Sequence, residues 1–314
     1  SLSAQMGIRL KEKRFQLLIL SPPKRTWGVK MEKGMRKSRK KRRRSRGLWF
    51  LAPSLLGVGY LVLLPTGDVL RRSFATALSG QWVGFNNYRN VLTNEAFRLA
   101  AGNTLRFLAL CLPLLLILSL LLALVICRIP RLERFKALYL LPMAIPAATV
   151  VLVWRLLFSQ QGFLNAWLGT HVDYMGERTA LIILVGSYVW KNLGYTMVLW
   201  LAGLKAIPGE YTEAARVDGA GRMRCFFRII LPNLKGSAYT ITVLSLLNAF
   251  KSFREAYLVS GAYPQQDIYL LQHLFQNWYT RLDMDKLAAG AILLALVLGA
   301  LSLLLQRLWD RAGA

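Results

Sequence analysis

Six apolar runs limit what this chain can fold into, because each is close to the ~20 residues a helix needs to cross the hydrocarbon core of a bilayer. They fall at about 48–65, 104–126, 136–158, 179–204, 237–259 and 287–306. The third carries Pro142 and Pro146, and the fifth is the least apolar. A chain of 314 residues is long enough for two soluble domains. Its 55% hydrophobic content, bunched into such runs with a mean hydropathy of +0.38, instead fits an all-α membrane protein with six transmembrane helices.

Charge sets the expected orientation. Residues 1–47 hold 17 Lys/Arg against 2 acids, so +15 of the net +26 sits in that tail. The turn with Arg128, Arg131, Arg134 and Lys136 and the loop 205–235 are also densely basic, whereas 159–178 has only Arg178 and 260–286 only Arg281 and Lys286. The positive-inside rule then places both termini and the 205–235 loop in the cytoplasm. The basic run Lys37 to Arg46 is read as a disordered cytoplasmic anchor touching anionic membrane lipid; nucleic acid is not expected as a partner, because a span follows at once. Residues 1 to about 30 are expected to be an over-extended or appended start, with Met31 or Met35 opening an ordinary membrane-protein N-terminus.

Cys111, Cys127 and Cys225 are far apart and show no metal spacing, and His171 and His273 are isolated. Asp283 and Asp285 near His273 lack tight ligand spacing, so no metal site is assigned. No GxxxxGK[ST] occurs, so the chain itself is expected to bind neither ATP nor another cofactor.

The polar stretch 205–235, KAIPGEYTEAARVDGAGRMRCFFRIILPNLK, reads as two short helices about a glycine. Pro208 and Glu210 suit a helix start, Gly219 breaks the pattern, and an amphipathic piece with Met223, Phe226, Phe227, Ile229 and Ile230 runs to Leu231 and Pro232. Glu213-Ala214-Ala215, three residues, Gly219, nine residues, then Ile229-Ile230-Leu231-Pro232 is similar to the EAA loop of permease subunits of ATP-driven, binding-protein-dependent importers, and YTEAARVDGAG looks like their sugar-uptake branch. The resemblance covers roughly 48–306. It implies a type I ABC importer permease domain over 48–310 whose helix-turn-helix loop, at Glu213, Ala214, Ala215, Asp218, Gly219, Ile229, Leu231 and Pro232, docks in a cytoplasmic ATPase dimer. It further implies a second homologous permease, an extracytoplasmic solute-binding protein and a location in the bacterial cell membrane. A rival for the loop is an amphipathic helix lying on lipid headgroups through Arg222, Arg224 and Arg228.

Polar residues at membrane depth need a reason. Asn192 and Tyr195 in the fourth run, and Asn248, Lys251, Ser252 and Glu255 in the fifth, combine amide, hydroxyl, aromatic and charged groups that suit a sugar. In the resembled sugar permeases these two segments line the pathway. Asn248, Lys251, Ser252 and Glu255 share a helical face, and Lys251 and Glu255, four apart, are expected to pair. Inter-helix polar contacts are the alternative. The charges depart from a neutral sugar pocket and keep open an acidic sugar, a sugar phosphate, an amino acid or a polyamine. Asn87-Tyr88 and Asn103-Thr104 resemble an external N-Y and N-T pattern of sugar permeases; Thr93, Asn94 and Asn103 look like helix caps. A membrane-embedded enzyme would need a nucleophile, metal set or carboxylate pair, of which Glu255 alone is visible. A channel is the remaining alternative.

Overall fold

The computed structural model describes residues 51–176 and 179–311; the side chains of Pro130, Lys251 and residues 308–311 are not among those described. The N-terminal tail, including the expected anchor and over-extended start, lies outside the described residues. Apart from one isolated bridge between Ala75 and Trp82, the described residues are helices and their connections. Five helical stretches are long and apolar enough to cross a membrane, over Leu51–Ser73, Glu95–Arg128, Ala147–Leu168, Ala180–Lys205 and Met284–Arg307.

The chain divides after Gly67 into two compact units. The first holds most of α1 (Leu51–Ser73), in which Gly59–Leu63 form a π-turn closed by the Leu64 N–H on the Gly59 carbonyl. Pro65 supplies the cause: its ring clashes with the carbonyl four residues back and it has no N–H to give, so the helix widens ahead of it.

In the second unit the central helix is α6 (Ala180–Lys205). It packs on α3 (Glu95–Arg128), on α4 (Lys136–Ala144) and on α9 (Lys235–Ala249). Along α3 the buried residues Ala100, Phe107, Cys111, Leu115, Ser119, Ala123 and Ile126 recur at helical spacing, while Leu105, Leu110, Leu114, Ile117 and Leu121 stay exposed. An apolar helix that turns Ala100, Cys111, Ser119 and Ala123 inward beside a few large side chains and leaves most of its leucines outward suits a lipid surround. Two core clusters follow the α3–α6 seam, one around Tyr188 and one around Trp200. The seams are tight where glycine allows it: a Cβ on Gly194 would lie 1.8 Å from the Tyr139 carbonyl oxygen.

Two of the expected spans are interrupted. The third run is α4 and then α5 (Ala147–Phe158), separated by Ile145 and Pro146 in extended conformation. Proline pushes the residue before it out of the helical region, so the break at Ile145 is the local consequence of Pro146. The fifth run is α9, a 3-10 turn at Phe250–Ser252, and α10 (Phe253–Ser260). Beyond it, Gly261 at φ +74 turns the chain toward α11 (Leu271–Thr280) and then α12 (Met284–Arg311).

Asn94 caps α3 as expected, accepting from the Phe97 N–H at 3.1 Å. Asn103 does not cap a helix, because α3 starts at Glu95 and carries Asn103 in its interior. Its amide instead donates to the carbonyls of Gln266 and Tyr269, and the Thr104 hydroxyl accepts from the Leu271 N–H at 3.0 Å. Asn87, on α2 (Asn86–Thr93), donates to the carbonyls of Ser73 and Ala75 at 3.1 and 2.9 Å. Both asparagines are buried, so the N-Y and N-T pairs staple irregular backbone in place. Asn103→Ala is expected to cost about 1–3 kcal/mol, the penalty for removing a buried donor and leaving two part-buried carbonyls without it. Asn103→Asp should cost more, since a carboxylate cannot donate to them. Thermal unfolding of the purified protein in detergent checks both.

The three cysteines are free, with Cys111 and Cys225 buried. His273 is buried in α11, where its Nδ1 accepts from the Leu270 N–H at 3.2 Å; His171 is exposed.

Candidate functional site

Two constellations stand out, one at the loop 205–235 and one midway along α6. In the loop, α7 (Gly209–Val217) begins after Pro208, with Glu210 in its first turn. It ends on Gly219 at φ +75, with the Gly219 N–H donating to the Arg216 carbonyl and the Ala220 N–H to the Ala215 carbonyl at 2.8 Å. This left-handed stop with its crossed pair of bonds satisfies carbonyls the helix end would otherwise leave open, and glycine adopts it without a Cβ penalty.

The chain re-enters helix at Gly221, and α8 (222–233) follows, with a π-turn at Phe226–Ile230 just ahead of Leu231 and Pro232. The spacing of π-turn to proline is the same as in α1, and the cause is the same. The Asn233 side chain donates to the Ile229 carbonyl at 2.7 Å, steadying the widened turn.

Of the motif residues, Glu213, Ala214, Asp218, Gly219, Leu231 and Pro232 are exposed, Ile229 is half-buried and Ala215 is buried. Ala215 and Cys225 are the buried residues of the two short helices. Val217, Met223 and Phe227 are exposed at 89%, 72% and 57%. Sequence reasoning placed none of these three in the site; their signal is apolar residues left over once the inward positions of α7 and α8 are filled. At the base of the loop, Lys205 at the end of α6 reaches Glu133 at 2.6 Å, and Lys136 reaches the same carboxylate at 3.0 Å. The hydrogen bond from Lys205, with that from Lys136, holds the Glu133 carboxyl below its usual range.

The second constellation brings α6 against the interrupted fifth run. The Lys191 ammonium donates to the Glu255 carboxylate at 2.6 Å, with the two side chains 16% and 12% exposed. The expected partner of Glu255 was Lys251. The carboxylate is held across the helix interface by Lys191, and the 3-10 turn at Phe250–Ser252 interrupts the regular helix just before Glu255. The Lys251 side chain lies outside the described ones. A lone charge at the centre of a membrane helix costs about 2.5–3.5 kcal/mol on insertion scales, so Lys191 and Glu255 each lower the cost of holding the other.

Ser252 is buried, Asn248 and Tyr195 are half-buried, and Asn192 donates to the Tyr188 carbonyl of its own helix at 2.9 Å. The Tyr188 hydroxyl donates to the Ser245 carbonyl at 2.6 Å, tying α6 to α9. Beside the ion pair an open cleft of about 400 Å³ is lined by Trp154, Ala180, Leu184, Ser187, Glu255 and neighbouring side chains. Trp154 donates to the Ser187 hydroxyl at 3.0 Å, stacks on Phe158 and meets Trp190 edge-on. The Arg155 guanidinium donates to the carbonyls of Leu258 and Val259 at the end of α10. Lys191 was not among the residues expected from the sequence, because its partner is distant in the chain.

Residues 132–312 match the family described as the binding-protein-dependent transport system inner membrane component. The probable ABC transporter permease protein YesP of Bacillus subtilis (strain 168) is 30% identical over 288 residues, covering 86% of this chain and 93% of the relative. The sn-glycerol-3-phosphate transport system permease protein UgpA of Yersinia pestis bv. Antiqua (strain Antiqua) is 30% identical over 273 residues, covering 82% and 92%. The fold is similar to that of a chain in the crystal structure of a bacterial ABC transporter involved in the import of the acidic polysaccharide alginate. The TM-score is 0.73 at 22% identity, over 88% of this chain and 99% of that one. A family match across more than half of the chain, relatives along most of its length and several membrane-crossing helices together decide its class. The chain is a multi-pass membrane protein and belongs to the family of inner-membrane components of binding-protein-dependent transport systems, a family of transport permeases.

Proposed function

We propose that this chain is the permease subunit of an ATP-driven importer that passes a sugar or oligosaccharide, with its 205–235 loop facing the cytoplasm. An extracytoplasmic binding protein delivers the solute, a second homologous permease completes the pathway, and two copies of a separate ATPase dock on the coupling loops. The observation that carries this reading is the knob itself. A short helix stopped rigidly at Gly219 and a second braced by Pro232 present Val217, Met223 and Phe227 to the outside. Apolar side chains so exposed on a basic loop suit a protein partner. The density of Lys and Arg in this loop, compared with 159–178 and 260–286, supports the cytoplasmic side.

A relative named for sn-glycerol 3-phosphate transport and a structural neighbour that imports alginate support a saccharide or sugar-like solute. The candidate pathway residues are Asn192, Tyr195, Asn248, Lys251, Ser252 and Glu255, to which the geometry adds Lys191. ATP is bound by the partner, and the permease contributes no nucleotide site. Solute-stimulated ATP hydrolysis by the reconstituted complex, measured across saccharides, amino acids and polyamines, tests the class. Stimulation by saccharides supports it, and stimulation confined to amino acids or polyamines refutes it.

A further inference from the structure

We propose that the solute is an anionic saccharide, and that Lys191 receives its negative group in exchange for Glu255. The proposal rests on the saccharide-importer reading above and narrows it to a charge class.

Depth comes first. Lys191 lies near the middle of α6 (Ala180–Lys205), roughly 16 Å along the axis from its first residue at 1.5 Å per residue. A 2.6 Å contact places the Glu255 carboxylate beside it, and Arg254 is its neighbour on α10. Arg155 reaches the carbonyls of Leu258 and Val259 one turn further along the same helix. Among the described side chains, three cations and one carboxylate therefore fall within about a helical turn of one another along α10 and the helices packed on it.

Only one of those cations is neutralised by an acid. Arg155 is bonded to neutral carbonyls, where the negative end of α10 favours it. Arg254 is exposed and, among the described residues, makes no ion pair. A site with excess positive charge in a low-dielectric surround attracts anions, gives a neutral sugar nothing extra and repels cations. Charges at this depth are retained where they serve a path.

The ion pair fits an exchange. The pair is largely buried, with Glu255 lining the open cleft, and the Lys191 ammonium has three rotatable donors, of which Glu255 takes one. The adjacent residue, Trp190, is 42% exposed and offers a flat face for a sugar ring. At rest, Glu255 keeps the lysine charge paired; an arriving carboxylate or phosphate takes over that role.

The test uses the complete importer with its binding protein in proteoliposomes. The probes are a uronate-containing trisaccharide, glucose 6-phosphate and, as the neutral counterpart, maltotriose. Uptake of one or both anions with little uptake of maltotriose is expected, and which anion is carried separates carboxylate from phosphate. Lys191→Gln should reduce anion uptake about tenfold or more, as loss of a buried charge partner does, with Lys191→Arg retaining most of it. Glu255→Gln should lower the KM for the anion, because it removes the competitor; a purely structural pair would give no such gain.

Lys191→Met with Glu255→Leu leaves no buried charge unpaired, so it should assemble at least as well as Lys191→Gln, and should still lose anion uptake. Equal effects on charged and neutral saccharides, or uptake of maltotriose and neither anion, overturn the proposal and leave the saccharide reading standing. Transport of no saccharide of either kind overturns both.

Discussion

Gly219→Trp is expected to abolish coupled uptake while the chain remains folded in the membrane. Gly219 sits at φ +75, so any other residue pays about 1–2 kcal/mol for the left-handed backbone. A Cβ there would meet nothing within 4 Å in this chain. The indole therefore has room inside the permease and projects outward from the knob, where the proposed ATPase packs. Gly219→Ala separates the two costs, since it pays for the backbone but adds almost no bulk. If the loop docks, alanine weakens uptake and tryptophan eliminates it, with ATPase lost on co-purification only in the latter. If the loop lies on lipid headgroups instead, tryptophan is tolerated there and uptake falls no further than with alanine.

Gly194→Val is expected to remove folded protein altogether. At this position α6 and α4 touch backbone to backbone, and an added Cβ would sit 1.8 Å from the Tyr139 carbonyl oxygen and 2.4 Å from its carbon. Backbone within a packed helix cannot step aside as a side-chain tip can, so the helices must separate and the core around Trp200 opens with them. Overpacking of even tolerant cores costs about 1–3 kcal/mol, and a clash with main chain belongs at or beyond the upper end. Gly203→Ala is the comparison. Its Cβ would meet the Ser237 hydroxyl at 2.6 Å, which can turn away, and the Ser237 Cβ at 2.8 Å, which needs a small shift of the helix but no backbone clash as close as that at Gly194. Detergent-solubilised yield and melting temperature should fall moderately for Gly203→Ala and collapse for Gly194→Val.

What could be read in the sequence was what local chemistry decides. Asn94 announced the start of α3, Pro146 carried the information for the break after Ile145, and Asp218-Gly219 announced the stop of α7. The first, second, fourth and sixth apolar runs overlap stretches long and apolar enough to cross a membrane, because a membrane demands length and hydrophobicity before anything else. What was not legible depends on tertiary contact. The 3-10 turn at Phe250–Ser252 has no proline or glycine within it. The pairing of Glu255 with Lys191 joins residues 64 apart in sequence, beyond the reach of local spacing. Asn103 looked like a cap and is a staple to the carbonyls of Gln266 and Tyr269, a role set by where the chain returns more than 160 residues later.

The central claim is that the loop at Gly219 is a cytoplasmic handle grasped by an ATPase. Val217, 89% exposed in that loop, is the residue to ask. With Cys111, Cys127 and Cys225 replaced by serine or alanine, Val217→Cys can be probed with a membrane-impermeant maleimide in vesicles of known orientation, with and without the ATPase. The account predicts labelling from the cytoplasmic side only, and protection when the ATPase is bound. Labelling from the opposite side, or labelling from the cytoplasm that the ATPase leaves unchanged, would contradict it.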